Sequence, residues 1–464
     1  MDSITETFQK NVGFDLRYTD PLGFGLLHNR STDESLFLNP VATSIWKANC
    51  HRVDPNREQA RFVAETEIPG MSEYVARVIE DLHSSGALLE NTVDLHANVQ
   101  VSSEGLEALP SLSQIYFYTT KRCNARCYHC YQPTQHSGLN SRQEQWPELT
   151  AHEFLALTDN AVSLGLKHVK LTGGEPLLRK DWTELVEGLC RRQISVSIET
   201  NAYFLDESAA TALADYGVDV SISLDGSSAQ AHDKYRNLAG SFERVINAIS
   251  LLSEKGVDPK VIMSVSRLNI NDIEGVVHLV REHGCRLIKI NPVSTLGIAN
   301  RLAADKALLN IEQIQDLYQK RTALESKYDV FLYLEGPPAF GTIGDILTGH
   351  AAACPFTHIL GVLSDGSLSF CGVGNSNPEL VFGNVRDENF DINRVWKASA
   401  ELGHTRKVVA QPLSGVCGSC LLSEFCKGSC RALAYAEYGS FEAPHPWCQH
   451  AHEVGRFPIY YLRP

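Results

Sequence analysis

Between Gln114 and about Val293, short apolar runs alternate with helical stretches, and no other feature constrains the fold as tightly. The runs QIYFYTT, KHVKLTG, ISVSIETN, VDVSISLDG, PKVIMSVS and RLIKINPV read as strands, apolar enough to be covered on both faces. AHEFLALTDNAVSLG, KDWTELVEGLCRR, DESAATALADYG, SFERVINAISLLSEKG and NDIEGVVHLVREHG read as helices between them, several closed by a glycine. Strands joined by helical crossovers make a right-handed parallel α/β unit, either an open sheet or part of a barrel. Ligands collect at the carboxyl ends of such strands. The loops after the first strands are therefore where chemistry is expected.

The flanks have a different character. Residues 1–100 carry 15 acidic and 8 basic side chains and one cysteine. In this block ESLFLNP reads as a short strand and VATSIWKANC as a helix with Val41, Ile45 and Trp46 on one face. SEYVARVIEDLHSSGALLE reads as a second helix, with a stripe of Tyr74, Val75, Val78, Ile79 and Leu82, ended at Gly86 where left-handed backbone is needed. Residues 101–113 read as a linker. From about residue 336 the chain is rich in Gly, Pro and Cys and poor in periodicity, so metal is expected to stand in for a hydrophobic core.

Composition excludes several classes. With 464 residues, 43% hydrophobic and 21% charged, the chain is an ordinary globular protein with room for several domains. A net charge of −14 gives a phosphate backbone little to hold, so no nucleic-acid partner is expected. Residues 346–364 lack Asp, Glu, Lys and Arg but contain Pro355, two glycines and two histidines, which is not a spanning helix; no membrane association is expected. MDSITETFQK has neither the basic nor the apolar region of a signal peptide, so a cytoplasmic location is expected. Of the 13 cysteines, three fall at 123–130 and seven between 354 and 448. In a reducing compartment such bunching points to metal ligands rather than disulfides.

Cys123-Asn-Ala-Arg-Cys127-Tyr-His-Cys130 follows the first strand directly. Three thiolates on one loop suit three irons of a [4Fe–4S] cluster and leave the fourth iron open to a small chelating ligand. A zinc knuckle is the alternative, although zinc sites usually pair their cysteines twice over. At the end of the second strand stands Leu171-Thr-Gly173-Gly174-Glu175-Pro176. Its glycines let the backbone approach a ligand, and Glu175 can accept hydrogen bonds from an ammonium group.

With GGEP behind a C-x3-C-x2-C loop in a βα array, residues 114–300 resemble the radical S-adenosylmethionine (radical SAM) enzymes. The resemblance implies a partial (β/α)6 barrel and a cluster chelated by the amino and carboxylate groups of S-adenosylmethionine, whose cleavage yields a 5′-deoxyadenosyl radical. By position it makes Cys123, Cys127 and Cys130 the cluster ligands, and Gly173, Gly174 and Glu175 the site of the methionine amino group. His129 would lie near the adenine. Asn201, Ser223 and Asp225 would meet ribose, carboxylate or substrate, and Arg236 would pair with the cofactor carboxylate; the alternative is that these four cap helices or turns.

Cys354-x16-Cys371, then Cys417-x2-Cys420-x5-Cys426-x3-Cys430 and finally Cys448, resembles the SPASM extension of radical SAM peptide-modifying enzymes. This implies two auxiliary [4Fe–4S] clusters, for three in all. Cys354, Cys371 and Cys430 would bind the inner one, and Cys417, Cys420, Cys426 and Cys448 the outer one. The inner cluster lacks a fourth cysteine; His358, another non-Cys ligand, water or substrate could complete it. Two zinc ribbons are the alternative. Cys50, Cys190 and Cys285 read as buried thiols without chemistry.

Residues 1–100 resemble the PqqD-type precursor-recognition domain, a small winged helix to whose sheet a leader peptide adds as a strand. The resulting organisation is 1–100 for peptide recognition, 114–300 for the radical SAM core, 301–353 as a bridge and 354–464 for the auxiliary clusters. The function implied is maturation of a ribosomally made peptide or small protein by an oxidative C–C, C–O or thioether crosslink, with a flavodoxin or ferredoxin as electron donor. No residue is assigned as general base. A sulfatase-maturing type oxidase would carry an acid after the second SPASM cysteine, where this chain has Gly372. A peptide epimerase would need a hydrogen donor such as Cys285 or Cys354. A non-catalytic iron–sulfur peptide chaperone would not need the intact C-x3-C-x2-C and GGEP motifs.

Overall fold

The computed structural model describes residues 8–10, 14–19, 25–30, 32, 35–48, 52–53, 58 and 71–90, and residues 110–463 apart from 133–145, 300–301, 304, 348–349, 351–353, 355 and 410. In the N-terminal block, β1 (Phe8–Lys10) pairs antiparallel with β5 (Arg52–Val53) and β6 (Leu88–Glu90). A second antiparallel sheet runs β2 (Phe14–Thr19), β3 (Gly25–Asn29), β4 (Ser35–Leu38). Helices Pro40–Ala48 and Met71–Ser84 cover them. Ile45, Trp46, Val75, Val78, Ile79 and Leu82 meet Phe14, Leu27 and Leu38 in one apolar cluster. Tyr74, expected in that stripe, is exposed instead. Gly86 takes φ +75°, as the end of the second helix requires. Most of the expected linker and Cys50 lie outside the described residues.

The expected strands form in their expected places. They are β7 (Gln114–Tyr118), β8 (His168–Thr172), β9 (Ser195–Thr200), β10 (Asp219–Ser223), β11 (Lys260–Val265) and β12 (Leu287–Pro292), each parallel to the next. This is a partial (β/α)6 barrel, and it grows at both edges. Residues 301–353, expected as a bridge, add β13 (Phe331–Leu334) parallel to β12. Beyond them β14 (Ile359–Val362) lies parallel to β7 and continues antiparallel into β15 (Ser367–Ser369) and β16 (Val381–Asn384).

The strands are not apolar on both faces. Ile115, Phe117, Val169, Leu171, Val196, Ile198, Val220 and Ile222 pack into the core under the helices, where Phe117 stacks on Phe154 with ring centroids 3.8 Å apart. The alternate positions, Tyr116, Lys170, Ser197, Glu199, Ser221 and Lys289, are polar. Period two sends them to the opposite face, which in a curved sheet becomes a lumen for ligand rather than a second core.

The C-terminal region has an apolar core after all. Leu413, Val416, Leu421, Leu422, Ala451, Phe457 and Tyr461 enclose Cys417, Cys420 and Cys448, and the same cluster includes Leu26 of β3. Phe37 of β4 meets Phe425 edge-on at 5.8 Å, and Arg17 Nη2 donates to the Leu462 carbonyl at 3.3 Å. The N-terminal block is thus seated on the cysteine-rich region. Among the described residues no helix is long and apolar enough to cross a membrane. Leu26→Ala is expected to cost about 2–5 kcal/mol, as large-to-small changes in a core do, and to release the N-terminal block first. Denaturant unfolding and limited proteolysis of the junction around residue 100 check this.

Candidate active site

The site is built by backbone pairing of two loops at the strand ends. Thr119 N donates to the Thr172 carbonyl at 2.8 Å, Gly174 N to Thr120 O at 2.7 Å and Glu175 N to Arg122 O at 2.9 Å. The cysteine loop and the GGEP loop therefore continue the β7–β8 pairing past the strands. Gly173 adopts φ +129°, and a Cβ on Gly174 would fall 2.0 Å from the Arg122 carbonyl oxygen. Only glycine admits this approach.

Glu175 is buried, and its carboxylate is a clamp. Oε1 accepts from Leu177 N at 3.1 Å and Thr200 Oγ1 at 2.6 Å, and Oε2 from Asn201 N at 2.8 Å. Burial pushes its pKa up, opposed by those hydrogen bonds and by the Arg236 charge. A carboxylate offers about four lone-pair positions, so three internal donors leave room for an ammonium. Asn201 in turn donates through Nδ2 to Asn124 Oδ1 at 2.9 Å, and that nitrogen lies 3.9 Å from Cys123 Sγ. Its Oδ1 accepts from Tyr203 N at 3.0 Å.

On the other side, the loop hangs on helix Ala229–Arg236. Arg126 N donates to Arg236 O at 3.3 Å and Tyr128 N to Tyr235 O at 3.4 Å. Arg236 Nε donates to Asp225 Oδ2 at 2.8 Å, and Ser264 N donates to Asp225 Oδ1 at 2.7 Å. Asp225 and Arg236, expected to reach toward a cofactor, thus pair with each other. The Arg236 charge also acts on Cys127 and Cys123, favouring their thiolates. His129 stacks on Tyr235 at 4.6 Å, and burial lowers its pKa to about 4. Its Nε2 lies 3.5 Å from Asp225 Oδ2, while Nδ1 is buried without a partner. Ser223 ends β10, half-buried, in register with Ile262.

The cysteines fall into three sets whose charges act on one another. Cys130 senses Cys127 and Cys123; Cys354 senses Cys430 and Cys371; Cys448 senses Cys417, Cys426 and Cys420. Burial pushes Cys123 up to about 11 and Cys130, Cys420 and Cys426 up to about 12. Buried thiols grouped this way suit metal replacing their protons. Among the described residues no three His, Cys, Asp or Glu converge on one ion-sized point. A cuboidal cluster does not require that, because each iron takes its own thiolate.

Other expected residues lie elsewhere. His358 Nδ1 faces the Ser111 carbonyl at 3.1 Å, and the carboxylate whose charge reaches Cys354 and Cys430 is Glu335. Cys285 Sγ donates to the Pro259 carbonyl at 2.8 Å inside the core, and Cys190 is partly exposed. A Cβ on Gly372 would fall 1.9 Å from the Tyr118 hydroxyl, so a phenol from β7 occupies the space of a side chain after Cys371.

Several site residues escaped sequence reasoning. Gln132 Nε2 donates to the Gly173 carbonyl at 2.6 Å, without any motif to announce it. Lys170 Nζ donates to Glu199 Oε1 at 2.8 Å, and Lys289 pairs with Glu335 at 2.5 Å. These two ion pairs cross the lumen face, with Lys170 over the Tyr116 ring and Lys289 over that of Tyr333. A period-two reading of HVKLT, SVSIET and LIKINP would have put Lys170, Glu199 and Lys289 on one polar face, though not paired them.

Residues 117–280 match the family model described as Radical SAM superfamily. An AdoMet-dependent heme synthase of Oleidesulfovibrio alaskensis is 27% identical over 73% of this chain and 87% of its own length. A PqqA peptide cyclase of Methylocella silvestris is 27% identical over 71% of this chain and 85% of its own length. The crystal structure of Streptococcus suis SuiB bound to precursor peptide SuiA shares the fold with a TM-score of 0.59 at 16% identity, across 95% of this chain and 100% of that one. Residues 117–280 thus form a radical SAM core, and over nearly its whole length the chain shares the fold of SuiB.

Gly174→Ala is expected to force the two loops apart and to lower S-adenosylmethionine binding and iron loading at Cys123, Cys127 and Cys130 together. Iron content and cofactor binding by calorimetry test this. Glu175→Gln is expected to weaken cofactor binding and also the fold, because its amide would set a donor against the Asn201 or Leu177 amide. Hydrogen bonds to a charged group contribute about 1.5–3 kcal/mol each, and equilibrium unfolding at matched iron content reads the second effect.

Proposed function

We propose that this enzyme matures a ribosomally made peptide or small protein by forming an oxidative C–C, C–O or thioether crosslink. The observation that carries the reading is the N-terminal block with its edge strands, seated on a cysteine-rich region that follows a radical SAM barrel in one chain. SuiB, a neighbour in fold over nearly the whole chain, is seen with a precursor peptide, and a relative in sequence is a PqqA peptide cyclase.

In this reading Cys123, Cys127 and Cys130 hold the radical SAM cluster, and Gly173, Gly174 and Glu175 receive the methionine amino group. His129, Asn201, Ser223, Asp225 and Arg236 shape and charge that pocket. Cys354, Cys371 and Cys430 hold the inner auxiliary cluster, and Cys417, Cys420, Cys426 and Cys448 the outer one. S-adenosylmethionine and a reduced cluster held by these residues would supply radical hydrogen-abstraction chemistry toward the substrate. The chain's part is to hold the two loops in register, to neutralise thiolates with Arg236, and to receive the peptide along a lumen of paired charges and tyrosines. Residues 1–100 bind the leader, 114–300 form the core, 301–353 bridge and 354–464 carry the auxiliary clusters. A flavodoxin or ferredoxin supplies electrons, in the cytoplasm.

The heme synthase relative favours a second reading, with a tetrapyrrole as substrate. Anaerobically reconstituted enzyme is expected to hold about twelve irons, four per cluster, and to remove hydrogen from a precursor peptide encoded beside it, seen by mass spectrometry. Replacing Cys123, Cys127 and Cys130 by Ala is expected to abolish 5′-deoxyadenosine formation while the C-terminal clusters remain. Turnover of a coproporphyrin with no change in any peptide would favour the second reading, and 5′-deoxyadenosine from the triple variant would overturn the role of the loop.

A further inference from the structure

Arg431 is among the largest fully buried side chains, 1% exposed. It opens helix Arg431–Tyr438, for which Cys430 is the N-cap. Nη1 donates to the Phe441 and Ala443 carbonyls at 2.9 and 2.6 Å, and Nη2 to Gly428 O at 2.6 Å. Gly428 makes room for it, since a Cβ there would lie 2.2 Å from Nη2. Those carbonyls satisfy hydrogen bonds but carry no net charge. Nε is buried with no partner.

A buried cation without a counter-charge is costly enough that folded proteins almost always pair it. The described residues offer Arg431 no Asp or Glu. Arg431 follows Cys430 directly, its Nη2 reaches the carbonyl of Gly428 between Cys426 and Cys430, and Cys417, Cys354 and Cys448 lie within electrostatic reach of it. Cys354 and Cys430 belong to the inner set and the other three to the outer one. A single guanidinium is therefore common to both sets, with two of its five N–H groups still unused, while Arg463 also acts on Cys420 of the outer set.

We propose that Arg431 is the shared counter-charge of the two C-terminal sulfur sets and raises the midpoint potentials of the iron–sulfur clusters bound there. The proposal rests on the cluster assignment above. Uptake of one electron adds one negative charge to a cluster, and a fixed positive charge in a low-dielectric interior favours that reduced form. No bond to Arg431 forms or breaks. In the test the electron comes from dithionite, which is oxidised.

The test is a dithionite potentiometric titration of full-length reconstituted enzyme, followed by electron paramagnetic resonance, on wild type, Arg431→Gln and Arg431→Lys at matched iron content. The Gln variant is expected to show both auxiliary potentials lowered, with the reduced-to-oxidised ratio at the wild-type midpoint down about tenfold, about 59 mV for one electron. The radical SAM cluster, whose loop senses Arg236, is expected to stay unshifted. The Lys variant, which keeps the charge, is expected to titrate like wild type. Unchanged potentials in the Gln variant, or an equal shift of all three clusters, would overturn the proposal. If the Gln variant loses its clusters, the Lys variant decides: wild-type potentials support the proposal, whereas lost iron or a tenfold change there means that the hydrogen bonds matter rather than the charge. Wild-type protein holding about four irons would instead remove the cluster assignment itself.

Discussion

The active site depends on the backbone pairing of Thr119–Arg122 with Thr172–Glu175. Hydrogen bonds from Thr119, Gly174 and Glu175 carry the β7–β8 ladder beyond the strand ends, which places the cysteine loop and the GGEP loop as one rigid surface. Glu175 then ties that surface to β9 through Thr200 and Asn201, and Asn201 reaches back to Asn124 beside the first cysteine. The ring of contacts closes without any side chain reaching far. A shift of one loop therefore moves the others, because interiors packed this densely transmit strain.

The opposite wall works by charge rather than by pairing. Asp225, wholly buried, is held by Arg236 and by the Ser264 amide, and Arg236 in turn anchors the loop through its carbonyl. Two residues that a family resemblance sends toward the cofactor are in the first place partners of each other. This does not remove them from the site. It explains how a guanidinium is kept at the thiols, oriented by a carboxylate behind it.

The C-terminal region solves a different problem. Its thiols sit inside an apolar cluster closed on one side by Leu26 of the N-terminal block. The block that would hold a leader peptide is therefore part of the wall around the outer sulfur set, and its removal would wet that set as well as delete a binding surface. Arg431 is buried in this interior among thiols and carbonyls, and Arg463 donates to the Gly418 and Cys420 carbonyls beside it.

Much of this was legible in the sequence. Local periodicity announced each barrel strand and the helices between them, because strands and helices obey fixed side-chain periods that neighbours cannot erase. The grouping of Cys123, Cys127 and Cys130 was legible from spacing, since residues on one short loop must be near one another, whereas the two C-terminal groupings join distant segments and come from the family resemblance. What the sequence could not decide was who meets whom at long range. Arg236 choosing Asp225, the Tyr118 phenol filling the space beside Gly372, Gln132 reaching Gly173, and Leu26 crossing to the thiols are pairings between distant segments, fixed only when the sheet curves and the layers pack. The polar lumen lay between these cases. Its alternation is written in HVKLT and LIKINP, but only the curvature of the sheet turns that face into an interior, and so gives Lys170 and Lys289 their partners.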